Sequence, residues 1–253
     1  MGGMTGEGAG VPILEGETID SGLDWRQVQC QQTRRYIPMN RGDMMVSCPW
    51  CEEHETYQRL GPEHEAWHHV RLATQICRVE FEVPTDGLDA VVWLGNSPET
   101  VFEKHLNRYN IYLDRRSDRW QYMYSGSHEA FHRVCSEGKN APHWVDEMFA
   151  VRFSLLYLER IGEASHAARN RTGLVEQASL ISRSEMLKVV SGPLPDGLYG
   201  RAYLVGEELQ QLVGWPALKS LAVTRALDST PDIEAWLDSL PAAARLSAEQ
   251  IVL

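Results

Sequence analysis

Long apolar runs are missing from this sequence: no stretch approaches the ~20 residues that a membrane-spanning helix needs. Runs of Lys or Arg are missing too, and 24 basic against 35 acidic side chains give a formal net charge of -11, so we expect neither nucleic acid nor a membrane as a partner. The first residues, MGGMTGEGAG, lack the basic and apolar regions of a signal peptide, and we expect a cytoplasmic location. The sequence contains no string typical of a P-loop, an EF-hand or a serine-hydrolase elbow. The GEGAG string near its start follows no strand and opens no helix, so it is not a dinucleotide-binding loop.

Cysteine is also scarce. The chain has five cysteines, Cys30, Cys48, Cys51, Cys77 and Cys135, and this odd number in a chain large enough to bury its own core argues against a disulfide framework. We therefore expect these thiols to be buried or to bind a metal ion. With 253 residues, 43% of them apolar and 23% charged, the sequence has the ordinary composition of a folded globular protein.

The apolar pattern predicts an α+β protein with a small N-terminal sheet followed by a mainly helical C-terminal half. We expect a flexible tail at residues 1–16, a loop-rich lead-in at residues 17–74 and the main domain at residues 75–253. Within these regions the pattern predicts helices at 62–77 and 97–107 and strands at 78–83, 90–95 and 110–114.

A series of helices is predicted after a turn at residues 125–127. Ser127 is the predicted N-cap of a helix that begins at His128. The next helix, 143–161, has one apolar stripe, and Gly162 just past its end suits a C-terminal cap. Further helices are predicted at 173–190, 199–214, 216–227 and 231–240.

Two histidines at the start of this helical region predict a metal site. His128 and His132 are four residues apart, so on a helix they project from one face and can bind the same ion. Glu129 follows the first histidine, as in the HExxH pattern, in which that carboxylate is the general base for a water molecule activated by zinc. Zinc lowers the pKa of such a water to roughly 7, so a carboxylate can accept its proton at neutral pH.

Glu147 is the predicted third ligand. It lies on the apolar stripe of helix 143–161, where a carboxylate is costly unless it is paired or binds a metal. An ion pair with Arg152 or Arg160 of the same helix is the alternative interpretation. Asp146 is a second candidate ligand, although helix geometry turns it about 100° away from the stripe.

These segments resemble a known family. SHEAFHRVC followed by APHWVDEMFAVRFS is similar to the gluzincin branch of the zincin metallopeptidases, in which HExxH precedes a helix of the form W-x-x-E-G-x-A. Weaker similarity to the helical tail of peptidase-MA-like domains extends over 198–221 and 232–240, so the resemblance covers about residues 75–240. It implies a zincin-like fold for the main domain and a catalytic zinc ion held by His128, His132 and Glu147.

The resemblance also implies a hydrogen-bond donor for the oxyanion, supplied by a tyrosine or histidine. Tyr199 is the first candidate and Tyr203 the second, with a core or surface position as the alternative for both, and His143 is a further candidate. One position departs from the family pattern, because Met148 follows the glutamate where glycine is usual. We expect this bulky side chain to narrow the floor of the cleft.

A second metal-like pattern lies in the lead-in. It has the spacing C-x2-C-x12-H-x3-H, which is typical of structural zinc sites, and its four residues are Cys48, Cys51, His64 and His68. Such a site would be closed to water. In one alternative the second HExxH string, which ends at His68, is itself the catalytic one, with Glu80 or Glu82 as its later acidic residue. In the other, the histidines are solvated or paired locally.

Together these patterns predict a metallopeptidase-like zinc hydrolase that acts on a peptide or amide bond and holds one catalytic zinc ion. They do not decide whether the chain also holds a second, structural zinc ion. Two alternatives remain: a zincin-like enzyme that modifies a small-molecule substrate, and a binding or regulatory protein whose metal is structural or absent. Two histidines and one carboxylate with open positions also suit non-haem iron. The patterns predict no particular oligomeric state.

Overall fold

The chain folds as an α+β protein in which most strands precede most helices, as the pattern predicts. The structure, a computed structural model, describes residues 27–39, 44–52, 54–103, 107–136, 143–189, 194–226 and 230–253. The strands are β1 (Gln27–Gln29), β2 (Tyr36–Pro38), β3 (Met45–Ser47), β4 (Thr56–Leu60), β5 (Asp89–Gly95), β6 (Glu99–Glu103) and β7 (Arg108–Asp114). The helices are α1 (Glu65–Phe81), α2 (Arg119–Cys135), α3 (Trp144–Arg160), α4 (Ala164–Gln177), a 3₁₀ turn (Ala178–Leu180), α5 (Arg183–Met186), α6 (Leu198–Val213), α7 (Trp215–Val223), α8 (Ile233–Asp238) and α9 (Ala242–Val252).

A five-stranded sheet separates two apolar layers. Its strand order is β3-β4-β5-β7-β6, and among the described strands the β5–β7 pair alone is parallel. Side chains on β5 alternate between the two faces: Val92 and Leu94 pack with α1, whereas Val91 and Trp93 pack with β1 and β2. α2 lies beside β6 and β7, which places that helix next to the edge strand of the sheet.

The helices pack around α3, whose side chains are buried along most of its length. Phe81 of α1 contacts Phe131 of α2 and both Phe149 and Phe153 of α3 edge to face, with ring centroids 5.2, 6.0 and 6.2 Å apart. Such aromatic contacts add about 0.5–1.5 kcal/mol each beyond the burial of their surface. They fix α2 against α3.

The helix predicted at 62–77 is confirmed as α1, but it continues further than expected. The strand predicted at 78–83 is therefore wrong. Cys77 and Phe81 are four residues apart and both face the helical core, so packing on one side favours a helix over the alternating pattern. The helix ends at Glu82, whose backbone has a positive φ of 57°.

The helix predicted at 97–107 is also wrong, because this segment contains strand β6. Glu103 on β6 is buried and forms an ion pair with Arg108 of β7 at 3.3 Å, which satisfies a carboxylate that an amphipathic helix would have exposed. The strands predicted at 90–95 and 110–114 are confirmed as β5 and β7.

Helix α2 begins well before His128, so the predicted turn and the N-cap at Ser127 are wrong. The true N-cap is Asp118, whose carboxylate accepts from the Gln121 N–H at 2.9 Å while the Gln121 side chain accepts from the Asp118 N–H at 3.0 Å. Ser127 lies inside the helix, and its hydroxyl donates to the Met123 carbonyl at 2.8 Å. One uninterrupted helix thus leads into the HExxH string.

Most of the later helices are confirmed. The helix predicted at 143–161 is α3, and Gly162 follows it with φ 86°. α6, α7 and α8 match the segments predicted at 199–214, 216–227 and 231–240, except that residues 227–229 lie outside the described ranges. The segment 173–190 is not one helix: α4 begins earlier, and the 3₁₀ turn and α5 follow it. α9 was not predicted.

The N-terminal region has more structure than the loop-rich segment expected there, since β1 to β4 all lie in it. β4 pairs with β5, and the domain boundary predicted between 74 and 75 falls inside α1, so both the sheet and a helix cross it. The flexible tail expected at residues 1–16 lies outside the described residues. None of the helices described in the structure is both long and apolar enough to cross a lipid bilayer.

Candidate metal centre

Two helices bring three potential metal ligands together. α2 carries His128 and His132 one turn apart, and α3 presents Glu147 from its first turn. His128 Nε2 lies 3.0 Å from Glu147 Oε2 and 3.1 Å from His132 Nε2, and His132 Nε2 lies 3.5 Å from the same carboxylate oxygen. Arg152 and Arg160, the alternative partners of this glutamate, form ion pairs elsewhere.

These distances fit a zinc ion. Nitrogen and oxygen ligands about 2.0–2.1 Å from zinc at tetrahedral angles lie about 3.3 Å from one another. The observed separations of 3.0, 3.1 and 3.5 Å lie on both sides of that value. His132 Nδ1 is 3.3 Å from Ser136 Oγ, an outer contact of the kind that orients a metal-binding ring. Three protein ligands leave one tetrahedral position open.

Burial couples the charges of these ligands. Burial alone would raise the pKa of Glu147, but His132 and His128 hold that pKa well below its usual range. Burial alone would lower the pKa of His132, but the Glu147 carboxylate outweighs it and raises the pKa to about 9. Without a metal ion the two groups therefore form an ion pair at neutral pH, and metal binding has to displace the His132 proton.

Glu129 is buried beside the ligands, with 5% of its surface exposed. Burial raises the pKa of its carboxyl, and the charges of His128 and His132 oppose this shift. The Thr100 hydroxyl of β6 donates to the Glu129 backbone carbonyl at 3.0 Å and so ties this turn of α2 to the edge strand. A carboxylate whose pKa lies nearer neutrality accepts a proton from water more readily than an ordinary one.

The site opens into a cleft of about 640 Å³, within the range of small-molecule pockets. His128, Glu129 and Tyr199 line it on the ligand side. On the opposite part of its wall Trp120 of α2 stacks on His166 of α4, with ring centroids 3.7 Å apart and planes 14° apart. Charged side chains of both signs also line the cleft, namely Asp114, Asp118 and Arg169.

No protein-family model, curated protein or solved structure matches this chain. The resemblance to gluzincins therefore rests on the sequence motif alone, that is, on the HExxH string and Glu147. The zincin-like fold stays a prediction, and a role for the centre has to be argued from its own geometry.

Tyr199, the first candidate for the oxyanion donor, lies beside His128, and its role as a donor stays a prediction. Its ring centroid is 5.6 Å from that of His128, with the two planes at 81°. Burial raises the pKa of the Tyr199 phenol, and the nearby charge of Glu147 adds to this, so the phenol keeps its proton at neutral pH. Tyr203 is not brought to the centre: it lines a separate pocket with Arg171.

Tyr124 is a site residue that the sequence analysis missed. It lines the same cleft, and burial raises its pKa with a further contribution from Glu147, so it too is a protonated donor. The signal was available, because Tyr124 lies four residues before His128 on a helix and therefore shares its face. The predicted turn at 125–127 concealed it.

Met148 does not narrow the cleft. The cleft is lined by other described residues, and the Met148 side chain points toward α6, where Gly206 makes room for it. A Cβ atom at position 206 would lie 2.9 Å from Met148 Cγ and 3.0 Å from Arg152 Cδ. The bulky residue after Glu147 is thus accommodated by a glycine on the neighbouring helix.

The structure does not group Cys48 and Cys51 with His64 and His68. The two cysteines and α1 pack on opposite faces of β5, because successive strand residues alternate. His64 Nδ1 caps the start of α1, and His68 Nε2 lies 2.6 Å from a backbone carbonyl. The cysteines instead lie beside Cys30.

Other residues considered in the sequence analysis have structural partners. Asp146 forms an ion pair with Arg225 at 2.9 Å. Glu80 and Glu82, the acids considered for the second HExxH string, lie at the other end of α1 from its histidines and pair with cations on α3 and α7. His143 is the N-cap of α3, with Nδ1 accepting a backbone N–H at 3.2 Å.

Proposed function

We propose that this chain is a zinc-dependent hydrolase that cleaves a peptide or amide bond. The observation that carries the proposal is the convergence of His128, His132 and Glu147 within 3.5 Å of one another, beside a cleft that His128 and Glu129 line. A bound zinc ion would polarise the substrate carbonyl and lower the pKa of water to roughly 7.

The residues around the ligands supply the proton transfers. Glu129 accepts a proton from the attacking water and later delivers one to the leaving nitrogen, a role that its raised pKa favours. Tyr199 donates its phenol hydrogen to the oxygen that becomes negative when the carbonyl is attacked. Tyr124, which lines the same cleft, offers a second donor or a contact for the substrate backbone.

The edge strand supports a peptide as the substrate. β6 pairs with β7 on one side and is the last strand of the described sheet, and no described strand pairs with its outer edge, where an extended chain could add. Thr100 on this strand contacts the backbone of Glu129, which sets the edge next to the ligands. Two features favoured the small-metabolite alternative, Met148 in place of glycine and the Cys- and His-rich lead-in, and the packing of Met148 against Gly206 weakens the first of them.

A matched pair of variants tests the proposal. Glu129→Gln should keep the metal content of the wild type while kcat for a cleaved peptide falls about 10²–10⁴-fold, the usual contribution of a general base. Glu65→Gln makes the same change in the other HExxH string, on the half-exposed first turn of α1, and should alter neither quantity. The substrates are a library of quenched fluorescent peptides, and metal is measured by mass spectrometry on the purified full chain.

Undiminished turnover by Glu129→Gln would remove Glu129 as the base. A wild-type chain that holds metal at His132 but cleaves no library member would favour the small-molecule enzyme instead. If His132→Ala holds the same metal as the wild type, the centre is not a metal site, and a binding or regulatory role replaces the proposal. The same measurement distinguishes zinc from iron.

A further inference from the structure

Two short hairpins at the N-terminal end of the described chain place cysteines in a similar way. Cys30 directly follows β1, and Cys48 directly follows β3, so each begins the turn that leads to the next antiparallel strand. In the first turn the Thr33 N–H donates to Cys30 Sγ at 3.4 Å, and in the second the Glu55 N–H donates to Cys51 Sγ at 3.1 Å. Backbone N–H groups aimed at sulfur stabilise thiolates, which are the form that binds metal.

The two turns bring three sulfur atoms together. Cys30, Cys48 and Cys51 are free thiols, at most 5% exposed, and their sulfurs all lie within 4.8 Å of one another. Thiolates about 2.3 Å from a tetrahedral zinc ion lie about 3.8 Å apart, so this spacing admits zinc with little movement. Arg35 lies over the Trp50 ring, 5.8 Å from its centroid, and links one turn to the other.

A carboxylate contacts one member of this cysteine triad. Glu55 Oε2 lies 3.1 Å from Cys30 Sγ, accepts the Gln32 N–H at 3.3 Å and accepts the Tyr57 hydroxyl. We propose that Cys30, Cys48, Cys51 and Glu55 bind one structural zinc ion. The three sulfurs are already grouped, whereas the Glu55 carboxylate has to turn from Cys30 toward the other two sulfurs to complete the coordination sphere. Both histidines of the C-x2-C-x12-H-x3-H pattern are left out because they lie across the sheet.

This zinc ion would also hold one rim of the cleft. Gln31, the residue after Cys30, donates from its side chain to the Ser97 carbonyl at 3.0 Å, and Arg34 of the same turn binds both carboxylate oxygens of Glu99 at 3.0 and 2.8 Å. Pro98, between these two contacts, lines the cleft. A metal that fixes the first turn therefore fixes the segment that leads into edge strand β6.

Metal analysis of four variants tests the ligand set independently of any activity. Cys48→Ser should lose one zinc ion per chain and keep the ion that depends on His132, whereas His132→Ala should do the reverse. His68→Ala, the matched control from the abandoned pattern, should keep both. Glu55→Gln should weaken zinc binding at the triad more than about 100-fold, beyond the 10–100-fold that the loss of an outer hydrogen-bond partner costs.

Cobalt substitution in the His132→Ala chain then reports the ligands of the remaining site. Three thiolates give intense sulfur-to-cobalt charge-transfer bands, which should be absent when Cys48→Ser is added, because that variant loses the metal of this site. Hydrogen exchange on the same chain should become faster at residues 96–103 when a chelator removes the zinc. The bands of the His132→Ala chain and the exchange measurement both use intact cysteines, so these two results stand even if Cys48→Ser does not fold.

Four results would overturn the inference or one part of it. A Cys48→Ser chain with undiminished zinc excludes the triad, and so does a wild-type chain that holds a Cys48–Cys51 disulfide and no zinc. A Glu55→Gln chain with unchanged affinity removes the fourth ligand. Unchanged exchange at residues 96–103 after zinc removal removes the link to the cleft. Failure of the peptidase proposal would leave the Cys48→Ser result unaffected.

Discussion

The contact between α3 and α6 predicts an unusual response to the substitution Gly206→Ala. The new methyl group would lie 2.9 Å from Met148 Cγ and 3.0 Å from Arg152 Cδ, well inside the 3.5–4.0 Å at which carbon atoms attract. Overpacking of this kind costs about 1–3 kcal/mol, and alanine recovers about 1 kcal/mol over glycine inside a helix. We therefore expect the free energy of unfolding to fall by about 0–2 kcal/mol.

Removing Met148, one of the two obstructing side chains, should reduce the cost of Gly206→Ala. In a Met148→Ala background, which itself costs about 2–5 kcal/mol, Gly206→Ala raises the free energy of unfolding by up to about 1 kcal/mol where the flexible Arg152 side chain moves aside from the new methyl group. The measurement is urea denaturation of the wild type, both single variants and the double variant at one fixed zinc concentration. The coupling energy between the two positions should be about 1–3 kcal/mol.

Gly173→Ala is the matched control, because Gly173 lies inside α4 and a Cβ there would meet no atom within 4 Å. It should stabilise both backgrounds equally, by about 1 kcal/mol. The reasoning is refuted if Gly206→Ala stabilises the wild type, or if it changes the wild type and Met148→Ala by the same amount. Either result would mean that Met148 does not fill the space beside Gly206.

Three further predictions concern other parts of the molecule. Asp118→Ala removes the true N-cap of α2 and should lower the free energy of unfolding by about 1 kcal/mol in urea, whereas Ser127→Ala should cost less; the reverse order would contradict the assigned start of the helix. Glu103→Leu leaves Arg108 buried without its carboxylate, and should cost about 3–5 kcal/mol by the same method; a cost below about 1 kcal/mol would argue against the ion pair. Zinc uptake at pH 7 should release about one more proton from the wild type than from His132→Ala, because the His132 pKa of about 9 keeps the ring protonated until metal binds. Zinc affinity at this centre should accordingly rise with pH up to about 9; calorimetry in two buffers of different ionisation enthalpy measures the protons, and equal release contradicts the shift.

The three residues of the candidate metal centre could be found from the sequence because their signals are local. His128 and His132 share a helix face by spacing alone, and Glu147 stands out as a carboxylate on an apolar stripe. The start of α2 was readable as well, since Asp118 and Gln121 have the spacing of a capping box. Missing that signal also hid Tyr124.

Cys30 could not be assigned in the same way. It lies 18 positions before Cys48 with no fixed spacing between them, and only the packing of the β1–β2 hairpin against the five-stranded sheet brings its sulfur to the cysteines that follow β3. Regular spacing pointed instead to His64 and His68. These histidines lie with α1 on the other face of β5 from the cysteines. Sequence spacing describes one element at a time, whereas a site between elements depends on how they pack.

The strand predicted at 78–83 illustrates the same limit for the fold. Its six residues alternate between polar and apolar, which is typical of a strand. Phe81 also lies four residues after Cys77, which is typical of a helix, so the local pattern admits both. The aromatic contacts of Phe81 with α2 and α3 decide between them. Those contacts join residues far apart in the chain, and no local period reports them.

The continuity of α2 has a consequence for how this protein can change during evolution. One helix carries the cleft residues Trp120 and Tyr124 and, further along, the ligands His128 and His132. Inserting or deleting one residue between these two pairs would rotate the ligands by about 100° relative to the cleft wall. Under the proposed function, substrate preference among descendants of this chain should therefore diverge by exchange of side chains at positions such as 120 and 124, while changes in chain length should be confined to segments outside α2.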